Sequence, residues 1–185
     1  MNDSIYQFFT GDGKDDKDRY HYDILAFEEE EYASTHDFIQ WAFPTITASA
    51  YNAKAPLLDL DTIAALKDDV SFQTRYLLFL KQFLNSLGLE YKVRRIVGVP
   101  KPIVTRITTA KSWMAHDHHY LPRITRVMES CVLLGYKETA RSLFEALMKT
   151  LKEHPEFYFI EPINIYYWYR ATFGFRFVET PVETK

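Results

Sequence analysis

The chain has 185 residues, 47% hydrophobic and 16% aromatic, which suffices for one domain with a sizeable core and is short for two. A net charge of -3 with 25% charged residues supplies no basic field, and this argues against nucleic-acid binding driven by overall charge. The single Cys131 excludes an intrachain disulfide and points to an intracellular, cytoplasmic setting, and the N-terminus shows no basic-then-apolar secretory signal.

The first apolar segment, Ser4 to Phe9, ends at the turn cluster Thr10-Gly11-Asp12-Gly13. That cluster lacks the alternating ligands and terminal Glu of a calcium loop, so a solvent-exposed loop is expected. Two short helices are expected between Asp18 and Ile46. The first lines one face with Tyr22, Leu25 and Ala26, and the run Glu28-Glu29-Glu30-Glu31 after it suits a solvated helix face. Ser34 or Thr35 can cap the second, in which Phe38, Ile39, Trp41, Ala42 and Phe43 bury before Pro44 ends it. His36 and Gln40 stand one turn apart there, placed either to contact a ligand or to brace the aromatic core. A small-residue linker over Thr45 to Asp59 leads to a short helix over Thr62 to Lys67, capped by Asp59 or Asp61. The clearest helix follows. Ser71 is its expected cap, Phe72, Tyr76, Phe79, Leu80, Phe83, Leu84 and Leu87 form its stripe, and Gly88 closes it.

Leu89 to Thr109 breaks the helical period with β-branched residues interrupted by Gly98, Pro100 and Pro102, which predicts a hairpin or an irregular extended excursion. Lys92, Arg94, Arg95, Lys101, Arg106 and Lys111 make it the locally basic region, facing either an acidic partner, a phosphate backbone or only solvent. From His116 to Leu151 two helices meet at a turn. Pro122 suits the first helical position and Gly135 the left-handed residue that closes the helix. Ile124, Val127, Met128, Cys131 and Leu134 form the first stripe, and Ala140, Leu143, Phe144, Leu147, Met148 and Leu151 the second. His154-Pro155 stops the second helix. Phe157 to Phe173 predicts a last aromatic helix or pair of turns, with Tyr167, Trp168 and Phe173 available to pack over the central pair. The expected fold is mainly α: a single compact helical domain over 1–176, a short extended or hairpin excursion near 89–109, and a mobile tail over 177–185.

The densest polar chemistry lies where the first of the two paired helices begins. His116, His118 and His119 invite a metal reading, yet the cysteine belongs to an apolar stripe and the ligand count falls short, so no metal or cofactor is expected. Free amides at a helix start favour negative charge, and His119, Arg123, Thr125 and Arg126 lie on or near one face there. They form either an anion pocket or salt bridges to carboxylates such as Asp37 or Glu129. The chain has no Gly-x-Ser-x-Gly elbow, phosphate loop or dinucleotide fingerprint.

Three segments carry a family resemblance. His36-Asp37-Phe38-Ile39-Gln40-Trp41-Ala42-Phe43-Pro44 is similar to a His-Asp-Tyr-Ile-Gln-Trp-Leu-Phe-Pro motif. His119 followed by Arg123-Ile124-Thr125-Arg126 and a leucine-rich run to Leu134-Gly135 is the second, and Tyr167-Trp168-Tyr169-Arg170-Ala171 the third. In this order they resemble the conserved domain of the opioid growth factor receptor family, here as a domain-only member. Ala42 and Pro122 each replace a family Leu, and the repeat-bearing tail of the animal receptors does not occur in this sequence. The resemblance implies a non-enzymatic, receptor-like module for a peptide or protein, an enkephalin in the animal receptors, with His36, Asp37, Gln40, Trp41, His119, Arg123, Thr125 and Arg126 as ligand-binding residues. An anionic ligand fits His119, Arg123, Thr125 and Arg126 among them. The alternative is a hydrolase or nuclease using a His/Arg anion pocket with His118 and His119 as catalytic residues. The family's animal members are described as membrane-associated or nuclear. The longest uncharged stretch here, Phe38 to Ala53, is broken by Pro44 and spans nothing.

Overall fold

A computed structural model describes residues 3–96, 99–107, 119–155 and 160–174. In chain order the elements are α1 (Asp3–Thr10), α2 (His21–Leu25), α3 (Glu29–Ser34), α4 (Ile39–Ala42), α5 (Leu60–Asp68) and α6 (Val70–Ser86). They are followed by β1 (Leu89–Ile96), β2 (Val99–Ile107), α7 (Tyr120–Leu133), α8 (Lys137–Glu153) and α9 (Pro162–Phe173). The expected mainly helical fold with one extended excursion is what forms. The expected tail at 177–185 lies outside the described residues, as do His116, Asp117 and His118.

Helix α6 is the centre, and all seven residues of its sequence stripe are buried. Its cap is Asp69, whose carboxylate accepts from the Phe72 N–H at 2.8 Å; Ser71 lies exposed inside the first turn. The helix begins two residues earlier than the serine reading requires, because Asp69 closes α5 and opens α6 at once. Asp59 caps α5 through the Thr62 N–H at 2.6 Å, as expected. Helix α1 lays Phe8 and Phe9 on this stripe, with Phe9 4.5 Å from Phe72 and Phe8 stacked on Phe79 at 6.1 Å between ring centres. From the other side Phe43 meets Tyr76 and Phe83, and Tyr136 stacks on Tyr76 at 5.2 Å. An aromatic core therefore joins the first third of the chain to the turn between α7 and α8. Gly135 takes φ +89° in that turn, the left-handed conformation that glycine adopts at no steric cost.

The segment before α5 differs from its expectation. Three short helices replace two, and α2 buries His21 and Ile24 while Tyr22 is half exposed. Ser34 ends α3 and Thr35 is its C-cap, so neither caps the start of a helix; α4 is a single turn starting at Ile39. His36 consequently lies in the link between them, exposed, whereas Gln40 is 3% exposed and its amide donates to Ser49 at 3.1 Å. The two do not share a helix face. The turn over residues 10–13 is half-buried or exposed, and just beyond it the Asp15 side chain is fully buried.

β1 and β2 form a two-stranded antiparallel hairpin with a bulge between Glu90 and Tyr91. Its base is buried through Leu89 and Val104, and α8 lies along β2: Thr139 donates its hydroxyl to the Pro102 carbonyl, and the Val104 N–H donates to Ser142 Oγ at 2.9 Å. Helix α7 begins at Tyr120, so Pro122 occupies its third position and not its first, still among the amides that lack an intrahelical acceptor. Helix α9 packs on α7 and α8 with Trp168 fully buried and its indole N–H donating to the Leu121 carbonyl at 3.2 Å. Tyr167, expected to pack as well, is 47% exposed.

Candidate functional site at the start of α7

Helix α7 places Arg123 and Arg126 one turn apart on the side that faces α3 and α4. Arg123 is 4% exposed. Its guanidinium donates to the carbonyls of Tyr32 (3.1 Å), Ala33 (3.3 Å) and Thr35 (2.7 Å). These are the last carbonyls of α3, which have no acceptor role within their own helix and carry the negative end of its dipole. A planar fork of five N–H donors is suited to collecting them. The same guanidinium lies over the rings of Tyr120 and Phe38 at 5.2 and 5.7 Å. Arg126 repeats the arrangement one helix along. It donates to the carbonyl of Phe43, the residue that closes α4, and to Thr45 Oγ1, both at 3.1 Å. Burial lowers its pKa, and the charge of Glu129 opposes that shift. Thr125 donates its hydroxyl back to the Leu121 carbonyl at 3.2 Å, and Ile124 is fully buried. Arg123-Ile124-Thr125-Arg126 thus caps two short helices from outside.

Of the sequence-predicted residues, the fold brings His36, His119 and Arg123 together. The rings of His36 and His119 are tilted against each other at 4.4 Å. An Arg123 N–H reaches His36 Nδ1 at 2.8 Å; arginine only donates, so Nδ1 accepts and the imidazole proton sits on Nε2. Both histidines are exposed. Asp37 turns the other way, with Oδ1 taking an N–H from Arg19 at 2.7 Å and Oδ2 3.9 Å from Lys17 Nζ. Of the two carboxylates considered for the arginines, Asp37 is therefore paired elsewhere. Glu129 feels the charge of Arg126, while burial raises its pKa. Trp41 is buried and its indole N–H donates to Asp16 at 2.7 Å. Among the described residues no three His, Cys, Asp or Glu side chains are placed to share a metal ion.

Sequence reasoning missed the network beneath the motif. Arg19 holds Asp15 through its Nε–H at 2.8 Å and Asp37 through an Nη2–H, tying the first loop to the His36–Asp37 link. Asn52 donates to both Asp16 Oδ1 and the Asp37 carbonyl at 3.1 Å. Burial alone would push the Asp16 carboxyl up, but the hydrogen bonds from Asn52 and Trp41 bring it below the ordinary carboxylate value. The local signal is the adjacent Asp15-Asp16 pair, four and three residues before Arg19; the more distant partners Asp37 and Asn52 lie 18 residues from Arg19 and 36 from Asp16. Cys131 is fully buried beside Tyr76, and burial pushes its thiol up to about 12, so a thiolate nucleophile is not presented at neutral pH.

The family described as the opioid growth factor receptor (OGFr) conserved region matches this chain over residues 7–170, which takes in the first two motif segments and the third as far as Arg170. Neither a curated protein nor a solved structure matches it.

Proposed function

The chain belongs to the opioid growth factor receptor conserved-region family, and on that footing we propose that it is a non-enzymatic, receptor-like module that binds a peptide or protein partner. One observation carries the reading: the outer face of α9. Ile163, Tyr166, Tyr167, Tyr169 and Phe173 are each between 43% and 55% exposed on this one helix. Tyr169 and Phe173 lie 5.1 Å apart between ring centres and both pack on Phe144 of α8, while Tyr166 and Tyr167 form a second ring pair at 5.8 Å. A half-exposed large side chain leaves on the order of 100 Å² uncovered. Five give about 500 Å², the upper end of what a soluble monomer leaves bare and over half of one side of a standard interface. Tyrosine-rich surfaces supply apolar area with a hydroxyl that adapts to the partner, and exposed Arg170 among them suits an acidic group. The partner this fits presents apolar side chains with a carboxylate beside them.

Of the eight residues that the resemblance marks for ligand binding, His36 and His119 are exposed and Asp37 partly so, within reach of a ligand, including an anionic one. Gln40, Trp41, Arg123, Thr125 and Arg126 act behind them as supports. The third motif segment places Tyr167, Tyr169 and Arg170 on the exposed α9 face itself. The hydrolase or nuclease alternative draws on His119 and on His118, which lies outside the described residues, and Arg123 would first have to release three carbonyls. Peptides selected from a displayed random library against the full chain test the proposal. Binding should fall on a Tyr166→Ser/Tyr169→Ser variant and persist on Arg126→Lys. Peptides indifferent to the α9 change, or turnover of a phosphodiester lost on His119→Ala, would overturn it.

A further inference from the structure

The β1–β2 hairpin is closed along one edge and open along the other. In an antiparallel ladder the N–H and C=O of one residue point to the same side, and opposite residues alternate between pairs that exchange hydrogen bonds and pairs that turn away from each other. The Pro102 carbonyl is taken by Thr139 and the Val104 N–H by Ser142, so both residues turn outward toward α8. Their ladder partners are Val93 and Tyr91. These two must also turn outward, on the opposite side, and alternation adds Arg95, opposite Pro100. The prolines occupy positions whose missing N–H the ladder does not need. Among the described residues the sheet has no third strand, and no hydrogen bond reaches the outer edge of β1 over residues 91–95.

The side chains along this edge select what can pair with it. Lys92 and Arg94 project on one face and Val93 and Arg95 on the other, all exposed. Pairing with a second copy of β1 would set these cations against one another, and charged edge residues of this kind keep sheets from joining edge to edge. An acidic strand reverses the sign of every cross-strand contact. We propose that the free edge of β1 takes an extended acidic segment of a partner protein as a third strand. This rests on the binding-module reading and gives the module a second contact, separated from the α9 face by α8.

The test uses the full chain and fluorescence anisotropy with a labelled short peptide alternating Glu and Val. The comparison probes are the same peptide with Lys in place of Glu, the same peptide with methylated backbone amides, and duplex DNA. Val93→Pro removes one outward N–H without touching the β1–β2 ladder, and Lys92→Glu/Arg94→Glu reverses the charge. The acidic peptide should bind and lose about tenfold or more in affinity on either variant, the scale of one lost hydrogen bond or charge contact. The lysine and methylated peptides should not bind. If Val93→Pro does not fold, the methylated peptide on the unchanged protein decides alone. No binding of the acidic peptide overturns the proposal. So does binding indifferent to amide methylation, which is charge attraction only, or tighter binding of DNA, which marks a phosphate reader. If the acidic peptide fails while the library peptides still depend on α9, the strand edge is wrong and the binding-module reading stands.

Discussion

Arg123 does at one position what several separate caps do elsewhere, and the cost of its loss follows from the acceptors it leaves behind. Each buried carbonyl without a partner costs about 1–3 kcal/mol. Arg123→Ala is therefore expected to lose about 3 kcal/mol or more in urea unfolding, and Arg123→Lys to recover only part, since an ammonium lacks the fork. An alanine variant within about 0.5 kcal/mol of the parent, the ordinary range for a surface change, would show that the carbonyls find other donors. His21 gives a pH-dependent counterpart. It is packed against Phe8, and burial, then the nearby Arg75 charge, lowers its pKa below the ordinary 6.5. The folded state thus holds fewer protons on this ring than the unfolded chain does. Stability from His21 is fully present above 6.5 and is lost as pH falls from there toward the depressed value. Unfolding followed from pH 7 down to 5 should show that loss, and His21→Gln should flatten it. An unchanged slope in the variant would assign the effect to other groups.

At the level of elements, the long helices α6, α7 and α8 were legible because their apolar stripes are local and periodic. The short ones were not. Helices α3 and α4 are held at their ends by Arg123 and Arg126, and the α3 carbonyls lie 88 to 91 residues from the arginine that caps them. No local signal encodes such a cap, so Ser34 and Thr35 looked like a helix start where the fold makes a helix end. The same distance explains the site. The motifs marked His36, His119 and Arg123 as residues of interest, but only the packing of α7 on α3 reveals that the arginine supports the link. The hairpin was half legible: β-branched residues announced strands, and the prolines left the pairing open until the side of the ladder they face was known. Cap identity gives a clean check. Asp69→Ala should cost about 1–2 kcal/mol through the lost cap, whereas Ser71→Ala should fall within about 0.5 kcal/mol of the parent. A larger loss at Ser71 would restore the serine cap.

Across the whole molecule the chain is a set of short helices fastened to a long-helix core from one side, with β2 and α9 both packed on α8. Among the described residues no helix is long and apolar enough to cross a membrane. The residues most typical of the family lie mainly inside this assembly, and the reachable chemistry is aromatic on α9 and basic on β1. That division carries the functional reading: the first two motif segments mainly support the fold, while the third contributes Tyr167, Tyr169 and Arg170 to the α9 surface. The most direct measurement is hydroxyl-radical footprinting of the full chain with and without a library-selected peptide. Oxidation should fall at Tyr166, Tyr169 and Phe173 and stay unchanged at His36 and His119. Protection confined to the two histidines, with the α9 rings oxidised as before, would contradict the assignment and return the site to the start of α7.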